Sequence, residues 1–516
     1  MIQFLIPAAF LFPVLVMSLL GLTLLCSDLK KRDLFLIVSA RSFSALYFLL
    51  CSFLFYYSLN NEAQSYSFAA WPYPTAIVYY LDGLSGFFIF ILGLSSLMSH
   101  FFRLFEGLSK SVYLWILFWG MHAGVASAFL TGDFFNLFVA FEIFLILSYA
   151  LMINLSHSVR AKQLYLLLNI IVSSILLINC AFVYGSFGTL NMAELAYKLQ
   201  MTDVQNPIFI FVFALFVFVA LAKAAVFPFF QWMPESYATL PAPVAAFFSA
   251  LLTKVGVYVL LRLGLSVFPS LTSSLSPMLL VLGGCSILVG VLAALGQKHL
   301  RKLLAFHTVS QIGYILVGVA VLYSLKDPTM QALALAATLL FTIHHSLVKS
   351  SLFASTSVLD HCAGTSDITQ SSGYLKEIPW FAFAFLASAF SLAGLPPSSG
   401  FWAKFALLKV IVTTQPIFWT VLLVFAGLLT LSSMLKVWIY CITGPVKNVS
   451  SKKWGIRPLI LPVIVFAFSS WCLALFVVPL KSKIDEVSLR VVNPTVYWKT
   501  VQKQGRVERN KEGGKL

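Results

Sequence analysis

The sequence predicts an all-α polytopic membrane protein with about fourteen transmembrane helices, and three observations predict it. Hydrophobic residues make up 60% of the 516 and charged residues only 10%, more apolar surface than a water-soluble fold can enclose. The apolar residues gather in runs of 18 or more, long enough as helices to cross a hydrocarbon core about 30 Å thick. Period-two alternation over ten-residue segments, the mark of a membrane β-barrel, is absent.

The runs lie near 2–26, 34–59, 76–101, 112–130, 134–155, 163–185, 207–230, 241–265, 276–296, 302–324, 329–357, 379–411, 416–443 and 456–480. No Lys or Arg precedes the first run and no small-residue cleavage site follows it, so a removable signal peptide is not expected. The runs at 112–130 and 134–155 are nearly continuous and could divide differently. The seven cysteines (Cys26, Cys51, Cys180, Cys285, Cys362, Cys441 and Cys472) fall mostly inside runs without a Cys-x-x-Cys pair. They read as small packing hydrophobes, and neither a metal site nor a haem-attachment motif emerges from them.

A net charge of +16 suggests a nucleic-acid partner until its distribution is examined. Loops of odd number hold fifteen Lys and Arg, among them Lys30, Lys31, Arg103, Arg160, Lys298, Arg301, Lys302, Lys447 and Lys453, whereas even loops hold only Lys198, Arg262 and Lys326. This is the positive-inside asymmetry, which places odd loops in the cytoplasm and the N-terminus outside. No nucleic-acid partner is implied; the partner of these charges is the bilayer. One feature resists: with fourteen spans the tail from Lys481 lies outside, yet it carries nine Lys and Arg against four acids. Either the tail is an extramembrane contact arm or the number of spans is off by one.

Two runs are visibly broken. The seventh reads AKAAVFPFFQWMPE, with Lys223 five residues before Pro228. The twelfth reads SLAGLPPSSGFWAKF, with Pro396, Pro397 and Gly400 ahead of Lys404. Proline removes a backbone donor and clashes with the preceding turn, so both helices should kink or unwind. Such backbone is tolerated at membrane depth only inside the protein or beside a watery cavity. Two proline-broken, lysine-bearing helices five spans apart are the expected mark of inverted repeats. The expected units are 1–110 (helices 1–3), 111–265 (first five-helix repeat, helices 4–8), 266–445 (second repeat, helices 9–13) and 446–516 (last helix and basic tail). The polar segment 188–205 reads as an external linker or a surface helix.

Glu142 lies well inside the run from Phe134 to Leu155. A carboxylate there costs at least roughly 2.5–3.5 kcal/mol and needs a partner, a proton or water. The bases inside runs are Lys223, Lys254, His344, His345, Lys349 and Lys404, with Lys409, Lys436 and Arg41 nearer run ends, where they can snorkel. His345 and Lys349 share a helix face at i, i+4, close enough to exchange a proton through one water, and His307 and Gln311 repeat the spacing. A single intramembrane lysine can simply satisfy a carbonyl at a helix break, and a single core histidine is often structural. One acid with this many bases strung over five helices is hard to explain as packing. Groups whose proton affinity responds to burial and neighbouring charge are what proton transfer requires, and Glu142 with Lys223 form the natural acid–base pair. Asp82, in YYLDGLSGFF, reads either as a helix-start carboxylate or as a lateral or ion-entry contact. Asp133 fits an N-cap. No G-x-G-x-x-G after a strand, Fe–S cysteine spacing or P-loop is present, so no cofactor is expected.

The blocks TGDFFNLFVAFEIFLILSYALM (131–152), AKAAVFPFFQWMPESYATLPAPVAAFFSALLTKVGVYVLLR (222–262), HTVSQIGYI (307–315), HHSLVKSSLF (344–353) and GLPPSSGFWAKF (394–405) resemble the antiporter-like family. That family comprises the large membrane subunits of respiratory complex I and of Mrp-type multisubunit Na+/H+ antiporters, and the first two blocks look most like the D-type member of the Mrp set. The resemblance spans about residues 75–440. It implies that Glu142 takes the family's fifth-helix glutamate, Lys223 and Lys254 its seventh- and eighth-helix lysines, His345 and Lys349 the eleventh-helix relay, and Lys404 the exit lysine. The doubled His344–His345 departs from the pattern and leaves open which histidine carries the proton; the basic tail departs too. It further implies a non-enzymatic transporter subunit of the cell membrane that works inside a larger complex and moves H+, with Na+ exchanged. The runner-up is a proton-pumping membrane subunit of an NADH-quinone oxidoreductase or membrane hydrogenase. A solo carrier of organic solutes is disfavoured, because the interior charge forms a line and not one pocket.

Overall fold

A computed structural model describes residues 2–23, 29–71, 73–103, 111–201, 207–449 and 456–513. Cys26, Lys110, Lys452 and Lys453 lie outside these residues, and the side chains of Lys30, Lys31, Arg32, Arg41 and Arg103 are likewise outside the description. The chain is almost wholly helical. It opens with α1 (Ala8–Leu22), α2 (Leu29–Asn60), a hairpin of β1 (Gln64–Ser67) and β2 (Val78–Leu81), α3 (Gly83–Arg103), α4 (Val112–Leu130), α5 (Phe134–Leu155) and α6 (Val159–Phe187). The strands are antiparallel, with Gln64 opposite Leu81. There follow α7 (Met192–Gln200), α8 (Pro207–Lys223), α9 (Trp232–Thr239), α10 (Ala242–Phe247), α11 (Thr253–Arg262), α12 (Thr272–Gly296), α13 (Leu300–Ser324) and α14 (Pro328–Ala363). The remainder is α15 (Tyr374–Glu377), α16 (Pro379–Ala393), α17 (Ser399–Thr414), α18 (Ile417–Val437), α19 (Ile456–Leu475), α20 (Val477–Val492) and α21 (Pro494–Gly513).

Among the described residues, ten helices are long and apolar enough to cross a membrane and four more are shorter apolar helices. Each of the fourteen expected runs contains one of them. The nearly continuous runs do divide where expected: Thr131 and Asp133 leave the helix to bridge Tyr79 and Asn191. Helix starts follow from short polar side chains that accept first-turn amides. Asp133 caps Asn136 N at 2.8 Å, Asn191 caps Ala193 N and Glu194 N, Asp327 caps Met330 N and Ser398 caps Phe401 N.

Both expected breaks are present. The helix α8 ends at Lys223, Ala225 turns through φ 57°, and Phe229–Gln231 winds as a short 3-10 turn before α9. The helix α16 ends at Gly394, φ 89°, and α17 restarts only at Ser399. A left-handed residue and a proline within five positions leave the backbone no regular continuation.

Contacts between loops sort the molecule into two ends. At one end the hairpin, Thr131–Asp133, α7 and the tail helices meet: Arg490 donates to Leu59 O at 2.6 Å and Asn61 O at 2.9 Å, Tyr497 packs on Tyr80, and Trp498 packs on Tyr197. At the other, His299 bridges Asp367, Ser372 bridges Lys447, Ser156 bonds Thr239 and Lys302 pairs with Glu235 at 2.7 Å. Among the described residues, even loops meet even loops and odd meet odd, as fourteen alternating crossings require. The basic tail therefore docks on the even end as a contact arm, and the number of spans stands. The segment 188–205 contributes α7, a nine-residue helix on that same end.

The spans are not equivalent. The Ala242–Val267 helix is buried on every side, and α13 and α14 nearly so. In contrast α5, α6, α12, α18 and α19 turn Ile146, Leu167, Leu292, Val421 and Phe468 outward. The buried helices carry Lys254, His307, His344, His345 and Lys349, whereas Glu142 lies on α5, Lys223 on α8 and Lys404 on α17. Lys409, by contrast, is exposed, and Lys436 reaches Leu295 O and Gln297 O, each at 2.7 Å, at a helix end.

Candidate functional site: a buried line of ionisable groups

The line begins beside the first helix break. Lys223, the last residue of α8, is 3% exposed, and its ammonium donates to Asn169 Oδ1 at 3.2 Å and Ser173 Oγ at 3.4 Å on α6. It also lies over the rings of Phe141 and Phe144, 5.3 and 5.5 Å from their centroids. Those two phenylalanines bracket Glu142 on α5. Glu142 acts on Lys223 through its field, but no ion pair joins them; the pair expected from sequence interacts at a distance, with polar and aromatic groups holding the ammonium.

Lys254 lies on α11 immediately beyond a π-helical turn, Phe248–Leu252. Its ammonium donates to Ser249 O within that turn at 2.5 Å; such turns are inserted into α-helices frequently at functional sites. Gly256, one half-turn on, packs so closely on α8 that a Cβ would lie 2.4 Å from Ala220 O. The absence of that side chain lets the Lys254 helix and the Lys223 helix touch.

Next along the line, α14 supplies His344, His345 and Lys349, all completely buried. Lys349 donates to Leu304 O on α13 at 2.7 Å. Lys254, Lys349 and His344 all act electrostatically on His345, and Lys254 on Lys349. Neither ring nitrogen of His345 has a protein hydrogen-bond partner. His344 points elsewhere: its Nδ1 is 2.9 Å from Ser399 Oγ, and its charged neighbour is Lys404. Adjacent residues on a helix lie about 100° apart, so the doubled histidine faces two ways, His345 toward the lysines of α11 and α14, His344 toward the second break.

At that break Lys404 reaches back from α17 to Ala393 O at 2.7 Å and Leu392 O at 3.2 Å, the terminal carbonyls of α16, and lies over Tyr314 at 5.2 Å. An ammonium at the carbonyl end of a half-helix is where the helix dipole favours it. His307 bonds Ser433 Oγ at 2.9 Å, while both amide atoms of Gln311 lack a protein partner. The geometry thus brings Lys254, His345 and Lys349 together, places Lys223 and Lys404 at the two breaks, and leaves Glu142 on the flank.

Asp82 lies apart from the line. It makes a two-bond ion pair with Arg262 at the even end, and Arg262 sits within 5.2–5.5 Å of the rings of Tyr80, Tyr497 and Tyr258. The helix-start reading also holds, since Asp82 Oδ1 accepts from Ser85 N at 2.9 Å.

Sequence reasoning missed Arg262 as a partner, counting it only as a loop charge, and missed the amide and hydroxyl partners Asn169 and Ser173. A tally of amides in apolar runs would have found Asn169. His122 was also missed. It is completely buried, with Nδ1 2.9 Å from Phe118 O and its ring among Tyr47, Trp119 and Phe247.

Residues 131–430 match the family described as NADH:quinone oxidoreductase/Mrp antiporter, transmembrane. The chain is 33% identical over 446 residues, 84% of its length and 87% of the other's, to a protein of Alkalihalophilus pseudofirmus named as the D-type subunit of an Na+/H+ antiporter. Its fold matches a chain of the Mrp complex from a Dietzia species, with a TM-score of 0.85 and 28% identity over 96% of this chain and 99% of that one. A chain of respiratory complex I from Thermus thermophilus matches in fold, with a TM-score of 0.77 at 21% identity over 95% and 99% of the two chains. The family read from the sequence blocks is therefore the right one, and the chain belongs to the NADH:quinone oxidoreductase/Mrp antiporter transmembrane family.

Proposed function

We propose that this chain is a proton-translocating subunit of a multisubunit Na+/H+ antiporter in the cell membrane, with its N-terminus outside. The observation that carries the reading is the convergence of Lys254, His345 and Lys349 on helices almost wholly enclosed by the rest of the protein, flanked by lysines at both helix breaks. Groups this close titrate as a set, so a proton added to one changes the affinity of the next. A proton enters beside Glu142 and Lys223, passes Lys254 to His345 and Lys349, and leaves near Lys404. Na+ moves elsewhere in the complex. The inverted repeats 111–265 and 266–445 place one broken helix at each end of this route. The similarity to a protein named for Na+/H+ antiport supports the exchange partner.

The test is Glu142→Gln in everted membrane vesicles carrying the whole complex. Exchange is expected to disappear while assembly is retained; full exchange would refute the relay. The second reading, a pumping subunit of a redox-driven complex, draws on a 32% identical protein from Desulforudis audaxviator named as the N-type subunit of an NADH-quinone oxidoreductase. Purifying the tagged chain separates the two, since small antiporter subunits support the first and Fe–S or flavin subunits the second.

A further inference from the structure

The face of α14 that carries His344 meets α16, α17 and α19 along a seam of buried hydroxyls. Ser399 Oγ lies 2.9 Å from His344 Nδ1 and 2.7 Å from Ser470 Oγ on α19. Ser470 Oγ lies 2.9 Å from Ser391 Oγ, which is also 3.3 Å from Ser399 Oγ. One turn back along α16, Ser388 Oγ is 2.7 Å from Ser351 Oγ on α14. All six side chains are at most 1% exposed. The junction is tight by construction: a Cβ on Gly400 would lie 2.8 Å from His344 Cε1 and closer still to Ser391 O.

Hydroxyls on apolar helices usually bond their own helix, four residues back. Here Ser391, Ser399 and Ser470 bond one another across three helices, and their chain ends on a titratable ring. The seam runs toward an opening at the odd end. Ser357 lies six residues beyond Ser351, about 9 Å along the axis, and lines a cavity of about 400 Å³ at the odd end with Arg301, Asp360, Thr239 and Leu459. Leu459 is one turn from Val463 on α19, whose carbonyl accepts from Ser351 at 2.9 Å.

We propose that Ser399, Ser470 and Ser391 form a hydroxyl relay that joins His344, through Ser388 and Ser351, to the cavity at the odd-loop end, giving the line of lysines a second access route. This rests on the proton-translocating function proposed above. Protonated His344 gives its Nδ1 proton to Ser399 Oγ, Ser399 passes its own hydroxyl proton to Ser470, and Ser470 passes its own to Ser391. Each oxygen gains one proton and loses one. The proton leaves Ser391 on a water molecule, which hands it to the Ser388–Ser351 pair, and a file of water molecules carries it over the remaining roughly 9 Å to the cavity; the reverse order loads His344. The charged and titratable groups facing His344 are Lys404 from α17 and His345 on its own helix.

The experiment measures exchange by the assembled complex in vesicles, across pH and in H2O against D2O, for Ser470→Ala, Ser470→Cys and Ser470→Thr. Alanine and cysteine are expected to slow turnover on the order of tenfold, less than the ~100-fold of losing a positioned acid or base, because water can stand in for a hydroxyl. Both should enlarge the solvent isotope effect and displace the pH profile, and threonine should restore all three. Cysteine keeps the volume, so it carries the test if the alanine variant does not assemble. Unchanged rate, profile and isotope effect in the cysteine variant would overturn the relay, as would an equal loss with threonine. A wild-type complex that moves no protons would overturn the parent reading and the relay together; normal wild-type exchange with indifferent serine variants overturns the relay alone.

Discussion

Arg262 and Asp82, 180 positions apart in sequence, meet in two parallel hydrogen bonds of 2.8 and 2.7 Å at the even end of the bundle. Their side chains are 3% and 10% exposed. Removing one partner from such a pair strands a buried charge, which costs about 3–5 kcal/mol, whereas replacing both with apolar groups costs far less. Asp82→Asn is therefore expected to lower thermal stability markedly, and Asp82→Leu with Arg262→Met to recover most of it. Unfolding of the purified complex followed by fluorescence checks this; a double variant no better than the single would contradict it.

The same pair sets an acid limit. Burial works against ionising Asp82, but the Arg262 guanidinium and the Ser85 hydrogen bonds hold its carboxyl below the usual carboxylate range. A carboxyl whose affinity for protons is lower when folded stabilises the fold fully above its ordinary value near 3.9, and the contribution fades as pH falls below that. Melting temperature should be insensitive to this group between about pH 5 and 8 and should drop below about pH 4. The part of the drop due to the pair should vanish in Asp82→Asn.

Lys404 caps the carbonyls of Ala393 and Leu392 as well as standing on the proposed route. Lys404→Met should abolish exchange and also remove a helix-end interaction worth about 1–2 kcal/mol. Lys404→Arg keeps a charge at the carbonyls but holds its proton at every accessible pH. Arginine should hence restore stability without restoring exchange, and paired melting and vesicle assays separate the two roles.

Gly256→Ala places a methyl 2.4 Å from Ala220 O. The helices α8 and α11 must then separate, at a cost of about 1–3 kcal/mol, and Lys254 moves away from Lys223. Exchange should fall more than complex yield does, which immunoblots run beside transport assays will read.

Much of this architecture was legible in the sequence because membrane crossing writes itself in composition. Run lengths gave the spans, Pro228 and Pro396 gave the breaks, and Glu142 and the lysines stood out because charge is rare in such runs. What escaped has a common cause. Asp82 looked like a helix start because its partner lies many helices away, and Arg262 looked like a loop charge for the same reason. Ser391, Ser399 and Ser470 are unremarkable singly, since serine is inexpensive in a helix and only three-dimensional convergence gives it a role. Glu142 and Lys223 read as an acid–base pair from their types, and only the structure shows that Asn169 and Ser173, not a carboxylate, take the ammonium's hydrogen bonds. The tail's side was undecided because counting charges cannot show what a basic helix rests on.

The Asp82–Arg262 clasp also constrains the order of events on the ribosome. When α3 enters the bilayer, Asp82 arrives at its threshold without a counter-charge, and it waits until α11 has been synthesised and placed beside it. Tyr497, the last wall of the arginine's aromatic enclosure, emerges later still, after every membrane helix. The enclosure of the pair is thus completed only when the final residues fold back over it, and a nascent chain stalled before Arg262 should present Asp82 to quality-control proteases as an unfinished end.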